Sequence, residues 1–68
     1  MPLVQVTMLE GRTPEQKQAL HREVAEAVHR AVGAPLENIR VVIYEVPGGH
    51  WSIGGVPKAP AAPPPEEQ

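Results

Sequence analysis

The first residue able to do chemistry in this chain is a proline at its start. Pro2 directly follows the initiator Met1. Methionine aminopeptidases remove the initiator when the next side chain is small, and their action here would expose a secondary amine held rigid by its ring. A general base works best when its pKa lies near the operating pH. Apolar surroundings and nearby guanidinium groups would lower the pKa of this amine, because both disfavour its protonated form.

Such an amine can take a proton next to a carbonyl group and return it at another atom. The alternative is that Pro2 is merely a common second residue. If Met1 is retained, the nitrogen of Pro2 is an amide and cannot act as a base. The hypothesis therefore requires that Met1 is removed.

Two arginines supply positive charge for the same chemistry. Arg12 lies in the turn after the first apolar segment, and Arg40 begins the second such segment. A planar guanidinium binds a carboxylate through two hydrogen bonds and also stabilises an enolate oxygen. The alternative is a surface salt bridge to Glu10 or Glu37, and it is the stronger alternative for Arg12. Arg40 begins a predicted strand, where an unpaired arginine suits a small core poorly.

Composition excludes several other classes of function. The chain of 68 residues has a net charge of −2, no cysteine, no aspartate, and dispersed arginines, which argues against disulfides and nucleic-acid binding. No apolar run reaches the roughly 18 residues of a membrane span, and the start lacks a signal-peptide pattern. We therefore expect a cytoplasmic protein without a metal, nucleic-acid or membrane partner. We expect no catalytic role for the three histidines, His21, His29 and His50.

The elements that must position these groups follow from the pattern of apolar residues. Residues 2–9 alternate with a period of two, which predicts a strand that is apolar on both faces. Thr13, Pro14 and Gln16 form a helix start with a capping box. Gly33 ends the helix as a left-handed residue. The apolar stripe of this helix is Leu20, Val24, Ala27, Val28, Ala31 and Val32.

The second half of the chain repeats the strand pattern. Residues 39–46 are rich in β-branched side chains and predict a second strand, which ends at Pro47. Two strands joined by a helix form a βαβ unit with parallel strands. Residues 50–56 predict a short hairpin around Gly54 and Gly55. We therefore predict an α/β fold, a β-α-β subunit with a parallel two-stranded sheet and a short C-terminal hairpin.

Chain length indicates self-association. We assign residues 1–56 to the folded domain and residues 57–68 to a Pro/Ala-rich disordered tail. A folding unit of about 55 residues is marginally stable without disulfides, metals or oligomerisation. A two-stranded sheet with one helix also leaves one face uncovered and two edges open. Copies that pair at the edges and stack at the faces would solve both problems, so we expect a homo-oligomer.

Four short motifs in order indicate a known family. They are Pro2 itself, the LEGR turn with Arg12, the APL-x-x-x-R element ending in Arg40, and the GHW-x-IGG segment. Over residues 2–55 the chain resembles the 4-oxalocrotonate tautomerase family. The resemblance implies β-α-β subunits assembled as a homohexamer, a trimer of dimers, with active sites shared between neighbours. It also implies a cofactor-independent isomerase of aromatic hydrocarbon catabolism.

The resemblance further implies a substrate class and residue roles. The substrate would be a 2-hydroxydienoate or 2-oxo acid such as 2-hydroxymuconate, with Pro2 as the base between its enol and keto forms. Of Arg12 and Arg40, one would anchor a remote carboxylate, and the other would polarise the 2-keto group. Trp51 stands where the family usually has phenylalanine and, with Leu9, would line an apolar wall that binds substrate; Met8 is a further candidate for this wall. The alternative for Trp51 is an anchor in a subunit interface.

The C-terminal segment distinguishes tautomerisation from related reactions. Family members that hydrate or dehalogenate acrylates use an additional acidic residue there to activate water, whereas residues 51–55 contain no carboxylate. This difference favours proton transfer. Two alternatives stay open: a promiscuous secondary-amine catalyst that acts through an iminium, and a non-catalytic oligomeric family member.

Overall fold

Two parallel strands joined by one long helix form the larger part of this protein. The computed structural model describes residues 1–59. Strand β1 is Leu3–Leu9, helix α1 is Pro14–Val32 and strand β2 is Arg40–Val46. The strands pair in parallel, from Leu3 opposite Arg40 to Leu9 opposite Val46. The predicted α/β class and β-α-β order are confirmed.

Both ends of helix α1 form through the local contacts that the sequence predicts. The Gln16 N–H donates to Thr13 Oγ1 at 3.1 Å, and the Thr13 N–H donates to Gln16 Oε1 at 2.9 Å. This reciprocal pair is the capping box, with Pro14 at the first helical position. At the other end Gly33 adopts φ 77°, and its N–H donates to the His29 carbonyl oxygen at 2.9 Å. The predicted helix bounds are confirmed.

Helix α1 covers one face of the sheet. Successive side chains of a strand alternate between faces, and paired residues of parallel strands share a face. Val4 and Val6 of β1 lie opposite Val41 and Ile43 of β2. All four side chains are half-buried, so this face is the apolar layer that joins the helix to the sheet.

The opposite face of the sheet is open within the single chain. Leu3 is 56% exposed and Tyr44 is 49% exposed, and Gln5 and Thr7 are also exposed. The Gln5 Nε2 donates to the Tyr44 hydroxyl oxygen at 3.2 Å across the two strands. No residue from 1 to 59 is fully buried, so a single chain has no fully enclosed core.

The predicted apolar stripe of the helix is only partly correct. Leu20, Val24 and Val28 are half-buried against the sheet, whereas Ala27, Ala31 and Val32 are exposed, Val32 by 69%. A helix of 19 residues is about 28 Å long, while strands of seven residues span about 20 Å. The helix is therefore longer than the sheet it covers, and its last turn has no strand beneath it. 

Two short 3₁₀ turns, which the sequence analysis did not predict, flank strand β2. They are Leu36–Asn38 before the strand and Gly48–His50 after it. Each begins after a proline in extended conformation, Pro35 and Pro47 respectively. Because proline fixes its own φ near −65°, these residues set the direction in which the chain enters and leaves β2.

A small antiparallel hairpin follows the second 3₁₀ turn. Strand β3 is Ser52–Ile53 and strand β4 is Val56–Pro57. The two residues between them, Gly54 and Gly55, have φ values of 61° and 85°. Two consecutive positive φ values are the requirement of a type I′ turn, which favours glycine at both positions. The predicted hairpin is confirmed.

The boundary between domain and tail remains a prediction. Strand β4 includes Pro57, and the Lys58 N–H donates to the Trp51 carbonyl oxygen at 2.6 Å. From residue 60 onward the predicted disordered tail lies outside the described residues. Over residues 1–59 no helix is long and apolar enough to cross a membrane.

Candidate active site

Pro2 lies immediately before β1 and is half-buried. Its carbonyl oxygen accepts a hydrogen bond from the Arg40 N–H at 3.0 Å, beside the first pair of the parallel ladder, Leu3 with Arg40. Met1, which precedes it, is 82% exposed. The structure therefore brings two of the predicted site residues, Pro2 and Arg40, to the amino end of the sheet.

Arg40 is exposed and makes no salt bridge with the acidic residue beside it. Its Nη1 donates to the backbone carbonyl oxygen of Glu37 at 3.2 Å, not to the Glu37 carboxylate. A guanidinium carries five N–H donors, so this bond leaves most of them available. Among residues 1–59 the only ion pairs are Lys17 with Glu45 and Arg22 with Glu23.

The other predicted site residues lie at the carboxyl end of the sheet. Leu9 is the last residue of β1, paired with Val46, and is half-buried. The Glu10 N–H donates to the Val46 carbonyl oxygen at 2.9 Å and extends the ladder by one bond. Arg12 follows in an exposed loop, and the salt bridge to Glu10 that was its alternative role does not form.

The two ends of the sheet are too far apart to act on one small molecule. Strand β1 has seven residues, and a rise of about 3.3 Å per residue puts its ends about 20 Å apart. Pro2 and Arg12 of one chain therefore do not meet. Within residues 1–59, no pocket opens on the surface of a single chain.

Trp51 lies in the segment that leaves the carboxyl end of the sheet. It is half-buried, and its backbone N–H donates to the Gly48 carbonyl oxygen at 3.2 Å at the end of the 3₁₀ turn. Met8 and Leu9, both candidates for the apolar wall, alternate along β1 and point to opposite faces. Met8 shares the helix-covered face with Glu45, so only Leu9 belongs to the open face.

The histidines are dispersed along the chain. His21 is half-buried on the helix, His50 is exposed, and the Nδ1 of His29 lies 2.7 Å from the Ala34 carbonyl oxygen. In the part of the chain described, residues 1–59, no three His, Asp or Glu side chains converge as a metal site would require.

Two side-chain contacts of the sheet were missed by sequence reasoning. Lys17 Nζ lies 2.9 Å from Glu45 Oε1 and links the first turns of the helix to the end of β2. The bond between Gln5 and Tyr44 crosses the open face. The available signal was a charged residue, Glu45, near the end of a strand whose residues 41–43 are all apolar. Nothing in the sequence identified Lys17 as its partner.

A model of the family of tautomerase enzymes matches residues 2–60. The chain belongs to the tautomerase family. The match begins at Pro2 and covers both strands, the helix and the hairpin. The family suggested by the four sequence motifs is thus confirmed, and with it the enzyme class, a tautomerase.

Individual relatives agree with this assignment over most of their length. A probable tautomerase of Ralstonia nicotianae is 51% identical over 67 residues, which is 98% of this chain and 96% of the relative. A 2-hydroxymuconate tautomerase of Pseudomonas putida is 53% identical over 57 residues, or 84% of this chain and 90% of the relative. The solved structure of a heterohexameric 4-oxalocrotonate tautomerase from Chloroflexus aurantiacus superimposes with a TM-score of 0.85 at 44% identity. That superposition covers 91% of this chain and 100% of the other.

Proposed function

We propose that this tautomerase, after removal of Met1, converts 2-hydroxymuconate or a closely related 2-hydroxydienoate to its 2-oxo form. The observation that carries the proposal is its 53% identity to a 2-hydroxymuconate tautomerase across 84% of the chain. We infer that the reaction belongs to aromatic hydrocarbon catabolism in the cytoplasm. Pro2 is the general base.

The surroundings of Pro2 support this role. Met1 is 82% exposed, so its peptide bond is accessible to an aminopeptidase. The hydrogen bond that holds Pro2 to Arg40 uses the carbonyl oxygen of Pro2 and not its nitrogen. Removal of Met1 would therefore free the amine without breaking the contact that fixes the ring at the amino end of the sheet.

The proposed reaction moves one proton and needs no cofactor. The neutral amine of Pro2 accepts the proton of the substrate's 2-hydroxyl group. The electron pair shifts through the diene as the 2-oxo group forms, and the protonated amine returns the proton to a carbon atom. The product is a conjugated or β,γ-unsaturated 2-oxo acid with the same atoms and electrons as the substrate.

Arg12 and Arg40 supply the positive charges of the proposed site. Both are exposed, and within residues 1–59 neither is engaged by a carboxylate. One guanidinium binds a substrate carboxylate remote from the reacting carbon, and the other stabilises the oxygen at the 2-position. Positive charge near the amine also favours its neutral form, which is the form that accepts a proton.

We infer that several chains build each site. Because about 20 Å separates the ends of β1, an amine and an Arg12 within reach of one substrate must come from different chains. Leu3, Ile53 and Val56 are 56%, 71% and 70% exposed and provide apolar surface for contact between copies. We propose a homohexamer, a trimer of dimers, in which Leu9 and Trp51 line the apolar wall of the shared site.

The primary test is Pro2→Ala, assayed for ketonisation of 2-hydroxymuconate with intact-mass measurement of the processed chain. Alanine also permits removal of Met1, so this variant keeps a flexible primary amine in place of the ring-held secondary amine, and kcat should fall by at least about 10-fold. A version of the wild-type sequence with an uncleavable N-terminal tag has no free amine, because its Pro2 nitrogen is an amide, and it should lose about 100-fold or more. Gln18→Ala, on the exposed side of the helix, is the control and should keep full activity. Full activity in Pro2→Ala would refute the proposal.

A second experiment separates proton transfer from covalent catalysis. If the amine of Pro2 acted as a nucleophile, borohydride in the presence of an aldehyde substrate would fix an adduct on the N-terminus. We expect 2-hydroxymuconate turnover to proceed at the same rate with borohydride, with no adduct by mass spectrometry. Phenylenolpyruvate, which has a single carboxylate, serves as the comparison substrate for the anchoring arginine.

A further inference from the structure

The loop that carries Arg12 is bonded to strand β2 at its start and is linked to the same strand through Lys17 of the helix that follows it. We call residues 10–13 the Arg12 loop. At its start, the Glu10 N–H donates to the carbonyl oxygen of Val46, the last residue of β2, at 2.9 Å. Only Gly11 and Arg12 lie between this anchored residue and the helix cap Thr13.

The second anchor is an ion pair between the helix and the same strand. The Lys17 N–H donates to the Thr13 carbonyl oxygen at 3.0 Å, and the Lys17 Nζ lies 2.9 Å from Glu45 Oε1. Glu45 directly precedes Val46 in β2. Lys17 therefore links Thr13, at the end of the Arg12 loop, to Glu45. The next residue of β2, Val46, binds Glu10 at the start of the loop.

The pair of Lys17 and Glu45 differs from the other ion pair described in residues 1–59. Its side chains are 32% and 28% exposed, so both are largely withdrawn from solvent. The Arg22–Glu23 pair is longer, 3.5 Å, with side chains 55% and 67% exposed. Exposed pairs of that kind contribute little to stability. The Lys17–Glu45 pair is the one that joins two elements, and it does so beside the Arg12 loop.

We propose that Lys17 and Glu45 are positioning residues for the guanidinium of Arg12. The inference rests on the proposed function, in which Arg12 binds an anionic oxygen of the substrate. Gly11 adopts φ 122°, a region that glycine enters freely and other residues rarely do. The bond from Glu10 to Val46 and the link through Lys17 to Glu45 together limit where this loop can carry Arg12. Without the ion pair, the first turn of the helix could shift relative to β2, and Arg12 would shift with it.

A double-mutant cycle tests the coupling between Lys17 and Arg12. The full-length oligomer is assayed with 2-hydroxymuconate as wild type, Lys17→Met, Arg12→Ala and the double variant. Because misplacement of a binding group by about 1 Å is costly, Lys17→Met should lower kcat/KM by about 5-fold to 10-fold in the wild-type background. In the Arg12→Ala background the same change should cost less than about 2-fold, since no guanidinium remains to be positioned. Equal losses in both backgrounds would show a merely structural role and overturn the inference.

Further variants address folding and chemistry separately. Glu45→Gln removes the charge with little change of shape and should reproduce the loss, and the reversed pair Lys17→Glu with Glu45→Lys should restore at least half of it. Arg22→Met breaks the solvent-exposed pair on the same helix and should leave kcat/KM unchanged. The positioning role would be refuted if Glu45→Gln left kcat/KM unchanged, or if the reversed pair were no more active than the single variants.

Failure of the proposed function leaves a different pattern. A fully active Arg12→Ala would remove Arg12 from the site and the inference with it. If the single variant Arg12→Ala is impaired and the single variant Lys17→Met has wild-type kcat/KM, the inference fails and the proposed function stands. Melting temperature and oligomer size, measured for every variant, should be unchanged in Lys17→Met if its effect is local to the Arg12 loop.

Discussion

The two ends of the parallel sheet hold the residues of the proposed site by different means. At the amino end, Pro2 and Arg40 are joined through the backbone, in a ladder bond that any side chain would permit. At the carboxyl end, Arg12 lies on a short loop whose far side is held by side chains, Lys17 and Glu45. We therefore expect the amino end to tolerate substitution of neighbouring side chains better than the carboxyl end does.

The comparison also supports the proposal that a single chain does not form a complete site. Each end carries a cation, but only the amino end carries the proposed base, and about 20 Å of strand lies between the two ends. Under the proposed function, each chain therefore carries two half-sites at a fixed separation. Symmetric association of copies can bring the half-sites of different chains together.

The largest expected effect comes from mixing two impaired variants. Pro2→Ala and Arg12→Ala should each have less than about a tenth of wild-type activity alone. If amine and guanidinium come from different chains, refolding the two variants together in equal amounts should restore about a quarter of wild-type activity, because random assembly pairs intact half-sites in a quarter of the sites. Activity is followed against the mixing ratio, with each refolded variant alone as the control. A mixture no more active than its components would place the whole site in one chain.

The next effect distinguishes the two arginines. Arg12→Ala and Arg40→Ala should each lower kcat/KM for 2-hydroxymuconate by about 100-fold, the usual cost of removing one charged stabilising group. Steady-state kinetics should separate the two losses, since an arginine that anchors a carboxylate chiefly affects KM and one that stabilises the developing oxyanion chiefly affects kcat. Identical effects on both constants would contradict a division of roles between the two residues.

An intermediate effect concerns the open face at the amino end. Leu3→Glu introduces a charge at a position that is 56% exposed in the single chain and is opposite Arg40. If copies cover this face, the buried charge should dissociate the oligomer, which size-exclusion chromatography with light scattering would detect. Gln18→Glu, on the exposed side of the helix, is the matched control and should leave the size unchanged. An intact oligomer in Leu3→Glu would mean that this face stays open.

The smallest effect concerns the N-terminal cap of helix α1, which lies at the carboxyl end of the sheet. Thr13→Ala removes the hydroxyl that accepts the Gln16 N–H, a loss that costs about 1 kcal/mol in the free energy of unfolding. Urea denaturation should detect this change, while Thr13→Ser should be close to wild type because serine keeps the cap. A Thr13→Ala chain as stable as wild type would show that the cap is not a determinant of stability.

Local structure followed closely from the order of the residues. The capping box of Thr13 and Gln16, the stop at Gly33 and the turn at Gly54 and Gly55 all form as predicted. Each is decided within a few residues by backbone geometry or by a nearby hydrogen bond, so no distant contact is needed to specify it. The family motifs likewise identified the enzyme class, because they record residue types and spacing.

Contacts between elements could be found only in the tertiary structure. The pairing of Lys17 with Glu45 depends on how far the helix lies along β2, and the exposure of Val32 depends on the helix being longer than the strands. The parallel register puts the start of both strands at one end, and it therefore brings Arg40 to the end where Pro2 lies and not to the end where Arg12 lies. A sequence encodes such distances only through the packing of many residues at once. The sequence was therefore sufficient to identify the candidate groups Pro2, Arg12 and Arg40, while the fold decided which end of the sheet each of them occupies.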